Sequence, residues 1–391
     1  MPRLRDTPSD IHRVDPTPGS ARPNPTGTWT MTPPIRGGCW SPSPDEYGPV
    51  AVADVRLSSG RDPTEERSDT PGSTAGRDLP DPSSHGHGRD GDRPEIGPYR
   101  LIRRVGRGGQ GEVWEALRLE PPAGIVALKV LPPTGRRHPG QFARFRREAE
   151  RGAALAGRGL LPVYEFGDDG RVAYFAMPLI DGIALDWVLD QRRRHRAGRP
   201  PPRCHRLAVL PEPSYTDAVA RVLAQVARAL AAAHAARVVH CDVKPANILL
   251  ERGVAGRAYL IDFGLGRDLE ALPASGPGTL DGTPLYMAPE KLAGRRADEA
   301  SCDVYALGAT GFEALALRPP RALPAGLPRR EWASYLAGAE PLRPCTIAPR
   351  LPRELEAILA RALARDPRRR YRSALAMAAD LERYLAGDAP R

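Results

Sequence analysis

The sequence predicts an α+β protein in which a small group of antiparallel strands precedes a larger, mainly helical part. Two apolar segments, 99–105 and 112–117, flank a glycine-rich stretch and together predict a strand–loop–strand hairpin. Apolar residues recur at helical spacing over residues 141–155 and again over residues 218–234. Further along, short apolar runs end in polar loops, an arrangement that presents loop side chains to one site.

The amino-acid composition divides the chain in two. Of its 391 residues 41% are hydrophobic, which is enough for a sizeable core, but 44 prolines and 39 glycines are too many for a uniformly folded chain. Sixteen of the prolines and only three aromatic residues fall in residues 1–96. We therefore expect residues 1–96 to form a disordered N-terminal extension and folded structure to begin near residue 97.

Charge and cysteine content exclude several classes of protein. The net charge of +10 comes from dispersed arginines, which favours a compositional bias over a nucleic-acid-binding surface. The five cysteines contain no CxxC pair and are odd in number, which argues against disulfides and zinc and for a reducing compartment. No signal core and no apolar run of membrane-spanning length occurs, so we expect a soluble cytoplasmic protein without a membrane partner.

Lysine is rare in this chain. Only three of the 57 basic residues are lysines, namely Lys129, Lys244 and Lys291. An ammonium group is a compact point charge, whereas guanidinium is a broad planar fork. Since the chain otherwise uses arginine, the lysines at positions 129 and 244 indicate that these sites need the smaller cation.

The glycines of the hairpin follow the pattern GxGxxG at Gly106, Gly108 and Gly111. One interpretation is a dinucleotide-binding turn, which requires a helix after the glycines. The next residues include the strand formers Val113 and Trp114, which favour a returning strand instead. A glycine hairpin of this kind can bring backbone N–H groups close to phosphates because no Cβ atoms intervene.

Lys129 lies in an apolar strand, 124–131, and a buried charge there needs a partner. In the following helix Glu148 shares a face with Phe145 and Gly152, since helical residues three and four apart lie on one side. We therefore predict a Lys129–Glu148 ion pair.

The stretch 239–250 contains Asp242, Lys244 and Asn247 between two apolar runs, and Asp262 follows a third run. Carboxylate and amide oxygens are hard ligands that suit Mg²⁺. A lysine beside them suits a phosphate. The residues alone thus predict a site for a magnesium-bound nucleotide.

Taken in order, these motifs resemble the protein kinase family, in particular the serine/threonine kinases of bacteria, over residues 99 to about 385. The matching motifs are 106–111, Lys129, Glu148, 240–247, 262–264, 282–290, 303–308 and 366–370. The resemblance implies a bilobal fold within residues 97–386, and its parts are a small lobe at 97–177, a hinge at 178–182, a large lobe at 183–386 and a basic, Pro-rich insertion at 190–213. We expect the insertion to be a solvated loop.

By the same resemblance the substrates are ATP, bound with Mg²⁺, and serine or threonine hydroxyls of proteins, including the chain's own. Asp242 would orient the accepting hydroxyl, and Lys244 would neutralise charge on the moving phosphoryl group. Asn247 and Asp262 would hold Mg²⁺, and Met177 would be the gatekeeper. The residues implied in ATP binding are Gly106, Gly108, Gly111, Val113, Ala127, Lys129, Glu148, Met177, Leu179 and Leu249. A buried ion pair between Glu290 and Arg370 is also implied.

Two positions depart from the family pattern. Cys241 stands where many relatives carry an arginine that holds a phosphorylated loop. We therefore expect activity not to depend strictly on phosphorylation between residues 265 and 287. Gly152 stands where relatives place a larger apolar residue, so we expect a packing gap and a mobile helix.

Three other functions compete with this interpretation. A pseudokinase scaffold or nucleotide sensor would use the same fold, but no core catalytic residue is missing. A small-molecule kinase is disfavoured by the segment 282–290, which forms the protein-substrate groove in the resembled family. A nucleic-acid-binding module has no recognised motif to support it.

Overall fold

The computed structural model describes residues 29–30, 94–108, 111–155, 160–252, 256–263, 267–268, 283–343 and 351–388. The predicted α+β class is confirmed: a lobe built on one antiparallel sheet is followed by a mainly helical lobe. Most of the 1–96 extension lies outside the described residues, as do residues 265–266 and 269–282 of the loop in which phosphorylation was considered.

The small lobe is a sheet in the order β1-β6-β7-β5-β4-β3-β2, with every neighbouring pair antiparallel. Its core contains Trp114, Leu128 and Val130, all essentially inaccessible to solvent. The strands are β1 (Trp29–Thr30), β2 (Glu95–Ile96), β3 (Tyr99–Gly108), β4 (Gly111–Arg118), β5 (Gly124–Leu131), β6 (Glu165–Asp168) and β7 (Ala173–Met177).

Two short strands fall within the extension that was expected to be disordered. Strand β1 pairs with Phe166 and Glu165 at the edge of the sheet, and β2 pairs with the start of β3. An edge strand presents unpaired backbone groups that a short extended segment can satisfy, and Ile96 is buried in the sheet core. The folded region therefore begins at least three residues before the predicted boundary at residue 97.

Helix α1 (Pro133–Arg136) and helix α2 (Pro139–Ala154) cover the other face of the sheet. The imidazole of His138 accepts a hydrogen bond from the Gln141 backbone N–H, which satisfies one free donor at the start of α2. Phe145 and Glu148 are buried on the inner face of the helix, as predicted.

The packing gap expected at Gly152 is absent. Val163 occupies the space, and a Cβ atom on residue 152 would lie 2.4 Å from Val163 Cγ2. The valine comes from outside the helix, so helical spacing could not reveal it. Gly152 is therefore a close-approach position that lets α2 lie against the residues leading into β6.

We expect Gly152→Ala to lower the free energy of unfolding by about 1–3 kcal/mol, because the new methyl group overpacks this contact. In an unhindered helix the same change is stabilising by up to about 1 kcal/mol. Gly140→Ala is the matched control, since its Cβ would meet only the His138 ring at 3.4 Å or more. Urea unfolding of both variants should give opposite signs; a stabilising Gly152→Ala would contradict the packing described here.

The large lobe is built around α5 and α7, which pack against each other and against α9 and α10. Helix α7 is buried on all sides over residues 301–315, as expected for a central helix. The helices are α3 (Leu185–Arg196), α4 (Arg206–Val209), α5 (Ser214–Ala235), α6 (Pro289–Leu292), α7 (Glu299–Ala316), α8 (Trp332–Gly338), α9 (Arg353–Ala362) and α10 (Ala374–Ala386). The short strands are β8 (Gly182–Ala184), β9 (Val238–Val239), β10 (Ile248–Glu251), β11 (Ala258–Leu260) and β12 (Arg267–Asp268), paired as β8-β10-β11 and β9-β12. Among the described residues, no helix is long and apolar enough to span a membrane.

The prediction of a solvated loop holds for residues 197–203 and 211–213, which lie outside helices and are mostly exposed, but it is wrong for the rest of the 190–213 segment. Its first seven residues continue α3, and Arg192 is 4% exposed. The Arg192 guanidinium donates to the carbonyl oxygens of Ala208 and Leu210 and to the carboxylate of Glu212, and it stacks 3.6 Å from the centre of the Tyr215 ring. Arg192 therefore helps to hold the segment against the lobe, together with the buried Leu207 and Ala208, because its planar fork satisfies several acceptors at once.

The predicted Glu290–Arg370 ion pair is confirmed. Two parallel hydrogen bonds of 2.6 and 2.7 Å join the guanidinium to the carboxylate, and both side chains are buried. Burial alone would raise the pKa of Glu290, but the hydrogen bonds from Arg370 outweigh it and the pKa is lowered. The pair joins α6 to the segment after α9 and thereby fixes the large lobe beneath the active-site loops.

We expect Arg370→Met to lower the free energy of unfolding at pH 7 by about 3–5 kcal/mol, because it leaves a buried carboxylate without its partner. A carboxyl group whose folded pKa is lowered stabilises the protein above its ordinary pKa near 4.5 and loses that effect as the pH falls through the lowered value. The difference between wild type and variant should therefore shrink between pH 6 and pH 3. Arg368→Met, which removes an exposed ion pair with Asp366 two residues away, should leave stability unchanged at either pH. A pH-independent difference would contradict the assignment to Glu290.

Candidate active site

A cavity of about 680 Å³ lies between the two lobes. It is lined from above by the glycine hairpin and β5, from behind by α2, and from below by the loops around Asp242 and Asp262. All the site residues predicted from the sequence line it except Gly108: Gly106, Gly111, Val113, Ala127, Lys129, Glu148, Met177, Leu179, Asp242, Lys244, Asn247, Leu249 and Asp262. Gly108 pairs with Gly111 at the tip of the hairpin.

The glycine stretch is a hairpin between β3 and β4 and is not followed by a helix. The dinucleotide-turn interpretation is therefore excluded. Gly111 has φ +130°, and a Cβ atom there would lie 2.4 Å from the carbonyl oxygen of Val130. Only glycine allows the hairpin to lie this close to β5, and its backbone forms the roof of the cavity.

Lys129 reaches from β5 to the carboxylate of Glu148 on α2, with Nζ–Oε distances of 2.6 and 2.8 Å. Its Nζ is also 3.9 Å from Asp262 Oδ1. Burial alone would lower the pKa of Lys129, but the two carboxylates outweigh it and the pKa is raised. Burial raises the pKa of Glu148 to about 7, against the opposing effect of the ammonium. Each charge therefore depends on the other to stay ionised in the cavity wall.

Asp242 lies at the centre of a compact hydrogen-bond network. Lys244 Nζ is 2.7 Å from Asp242 Oδ2 and 3.0 Å from Thr283 Oγ1. The side-chain amide of Asn247 donates to the Asp242 backbone carbonyl at 2.8 Å and to Oδ2 at 3.1 Å. The backbone N–H of Thr283 donates to Asp242 Oδ1 at 3.2 Å. These contacts fix the carboxylate in one orientation at the cavity floor.

The buried carboxylate of Asp303 holds from below the loop of residues 240–247, which contains Asp242, Lys244 and Asn247 and is called the catalytic loop below. Asp303 on α7 accepts hydrogen bonds from the backbone N–H groups of His240 and Cys241, both at 2.8 Å, and His234 Nε2 lies 2.8 Å away. Burial alone would raise the pKa of Asp303, but these neighbours lower it. The carboxylate therefore stays charged, and the loop is anchored to the central helix of the lobe.

The oxygens that face the cavity suit a hard divalent cation. The amide nitrogen of Asn247 is engaged by Asp242, which leaves its carbonyl oxygen for a ligand, and Asp262 supplies a carboxylate. Within the described ranges, no group of three or more His, Cys, Asp or Glu side chains is placed to hold a metal ion. Two protein oxygens completed by water and phosphate oxygens are nevertheless the usual set for Mg²⁺, so these residues fit it.

The sequence did not identify three residues that contribute to the site. Asp186, in the first turn of α3, lines the cavity. Arg151 on α2 is buried and donates to the carbonyl oxygen of Phe263 at 3.3 Å, which ties the Glu148 helix to the Asp262 loop. Lys291 lies behind the catalytic loop. Asp186 and Arg151 carry no local signal, since a single charged residue on an arginine-rich helix looks solvated. Lys291 is one of the three rare lysines, but its own segment does not indicate its partner.

Comparison with known proteins gives one consistent result. Residues 99–380 match the family described as protein kinase domain. The chain is 36% identical over 301 residues to the serine/threonine-protein kinase PknA of Mycobacterium tuberculosis, and 37% identical over 289 residues to PknH of Mycobacterium bovis. These alignments cover 75% and 73% of the chain but only 63% of PknA and 44% of PknH, so the chain spans less than two thirds of either relative.

Solved structures agree with the sequence comparison. The crystal structure of the PknI kinase domain of M. tuberculosis superposes with a TM-score of 0.52 at 31% identity. The superposition covers 74% of this chain and 96% of that domain.

Proposed function

Because the chain belongs to the protein kinase family, we propose that it is a serine/threonine protein kinase that transfers the γ-phosphoryl group of ATP to protein hydroxyls, including its own. The observation that carries the proposal is the network around Asp242, in which one fixed carboxylate lies within 2.7 Å of an ammonium group at the floor of a cavity of nucleotide size. Phosphoryl transfer requires mainly positioning and neutralisation of charge, and this network offers both.

Each cavity residue then has a role that follows from its chemistry. Asp242 accepts a hydrogen bond from the substrate hydroxyl and directs its oxygen at the γ-phosphorus. Lys244 lies beside Asp242 and neutralises negative charge on the transferring group. Lys129, held by Glu148, pairs with the α- and β-phosphates, and the glycine hairpin excludes water from the triphosphate.

The base of ATP fits the apolar end of the same cavity. Val113, Ala127, Met177, Leu179 and Leu249 all line this cavity. In the proposal Val113, Ala127 and Leu249 supply the walls for the base, Met177 the back, and backbone groups near Leu179 the edge. Mg²⁺, held by Asn247 and Asp262, would supply charge neutralisation at the phosphate oxygens when bound.

Serine and threonine are the proposed acceptors. Thr283 Oγ1 lies 3.0 Å from Lys244 Nζ and 3.4 Å from Asp242 Oδ1, so a threonine hydroxyl already contacts both groups. A cytoplasmic location belongs to the same proposal. It is supported by the three described cysteines, Cys204, Cys241 and Cys302, none of which forms a disulfide.

Phosphosite mapping tests the proposal. The purified protein is incubated with Mg-ATP and a mixture of serine-, threonine- and tyrosine-containing peptides, and the products are mapped by mass spectrometry. We expect phosphoserine and phosphothreonine on the peptides and on the chain itself. Products confined to phosphotyrosine would contradict the acceptor assignment, and the absence of any product would contradict the activity.

A further inference from the structure

The third lysine of the chain lies outside the ATP cavity. Lys129 and Lys244 line that cavity, whereas Lys291 is on α6, behind the catalytic loop. There it borders a second, small cavity of about 20 Å³, together with Cys241, Asp242 and Thr283. Lys291 therefore lies against the loop that carries Asp242, on the side away from the ATP cavity.

Lys291 is joined to the catalytic loop through one carboxylate. Its Nζ is 2.7 Å from Glu299 Oε2, and the thiol of Cys241 donates to the same oxygen at 3.7 Å. The side chains of Lys291 and Glu299 are 16% and 24% exposed, so solvent screens the pair only partly. Burial alone would lower the pKa of Lys291, but Cys241 and Glu299 outweigh it and the pKa is raised. The ammonium is therefore charged throughout the neutral pH range.

The backbone at Cys241 explains why such a contact is needed. Cys241 has φ +69°, a left-handed conformation that costs a residue other than glycine about 1–2 kcal/mol. This turn directs the next residue, Asp242, into the ATP cavity. Such a conformation persists only where its surroundings hold it. Asp303 accepts a hydrogen bond from the backbone N–H of Cys241, and Glu299 accepts one from its thiol.

We propose that Lys291 is a positioning residue for Asp242, and that it acts by fixing Glu299, which in turn holds the left-handed turn at Cys241. The inference rests on the proposed kinase function and adds a residue to it. Cys241 replaces the arginine of many relatives, and a guanidinium at position 241 would be a second cation beside Lys291. The contacts Lys291–Glu299 and Glu299–Cys241, called the brace below, thus support the catalytic loop from within the chain and require no phosphate.

Steady-state kinetics of Lys291→Met, Glu299→Gln and the double variant test this brace. Each single change should lower kcat about tenfold, because a small displacement of a reacting group has a large kinetic effect. The KM for ATP should stay within about twofold, since neither residue lines the ATP cavity. The double variant should be no slower than the worse single variant, because both changes break one linkage.

Arg136→Met is the matched control. It removes an ion pair with Asp168 of similar exposure, 29% and 16%, on the small lobe away from the catalytic loop. It should leave kcat unchanged even if it lowers the melting temperature. If Lys291→Met does not fold, Glu299→Gln still tests the brace, because it retains a polar side chain of the same size.

Each remaining outcome decides between alternatives. An active wild type with unchanged kcat in both single variants overturns the brace but leaves the proposed function standing. Equal losses in the Arg136→Met control overturn it as well, because they indicate a general effect on stability. A wild type that transfers no phosphoryl group overturns the proposed function itself. Phosphatase treatment of the wild type should leave kcat unchanged, and a tenfold fall would overturn a brace that works without phosphate.

Discussion

Asp242→Ala should lower kcat for phosphoryl transfer by about 10³-fold or more, since a positioned proton acceptor contributes about 10²–10⁴-fold and its loss also releases Lys244. In the structure the carboxylate is the common partner of Lys244, Asn247 and Thr283. Its removal therefore both deletes the contact to the substrate hydroxyl and leaves the ammonium without its fixed neighbour. The KM for ATP should change little, because the role proposed for Asp242 is to orient the acceptor hydroxyl and not to bind the nucleotide. Steady-state assays with a peptide substrate measure both quantities.

Asp190→Ala is the matched control for this variant. Asp190 is a carboxylate on α3 whose side chain is 39% exposed and which pairs with Arg194 within the same helix. Its loss should leave both kcat and KM at wild-type values. Substantial activity in Asp242→Ala, within tenfold of wild type, would contradict the role assigned to this carboxylate.

Lys129→Met should lower kcat/KM for ATP by about 10²–10³-fold, because it removes a preorganised positive charge from the phosphate site. The same change leaves Glu148 buried without its cation, and the carboxylate, whose pKa is already about 7, will take up a proton at neutral pH. The contact that holds α2 against β5 is then weakened. Nucleotide binding measured by fluorescence and kcat/KM should therefore fall together.

Lys129→Arg sharpens this test, because arginine preserves the charge and is the basic residue used almost everywhere else in the chain. One compact nitrogen lies between both Glu148 oxygens and Asp262 in a buried site, and the broader guanidinium cannot take the same position, so we expect activity at least tenfold below wild type. Full activity in Lys129→Arg would show that charge alone is required and would contradict the argument drawn from the rarity of lysine.

Much of this site could be predicted because its signals are local. One lysine in an apolar strand requires a buried partner, and helical spacing identifies Glu148 as the residue that faces it. After Gly111, the β-branched Val113 and the aromatic Trp114 favour a strand. This preference distinguishes the hairpin from a dinucleotide-binding turn, which requires a helix. In each case the signal is a residue type that either interrupts or fits the hydrophobic pattern of its own segment. The structure contains both predicted features, the Lys129–Glu148 pair and the glycine hairpin.

The features that could not be predicted depend on contacts between distant segments. Val163 fills the space beside Gly152 from outside the helix, so a gap was expected where there is close packing. Arg192 is buried because carbonyl groups 16 to 18 residues later surround it, whereas its own neighbours indicate a solvated basic run. The linkage of Lys291, Glu299 and Cys241 likewise joins a short helix, the start of α7 and a loop some 50 residues earlier. Such contacts cannot be inferred from amino-acid composition or from the spacing of residues within one segment.

Transfer of radiolabel from ATP is the most direct measurement of the proposed activity. Wild type and Asp242→Ala are each incubated with Mg²⁺ and ATP labelled with ³²P at either the γ or the α position, and acid-hydrolysed products are separated as phosphoamino acids. We expect label from the γ position, but not from the α position, in phosphoserine and phosphothreonine of the wild type only. Nucleotide binding without any γ-label transfer would contradict the kinase assignment and indicate a scaffold or nucleotide sensor with the same fold.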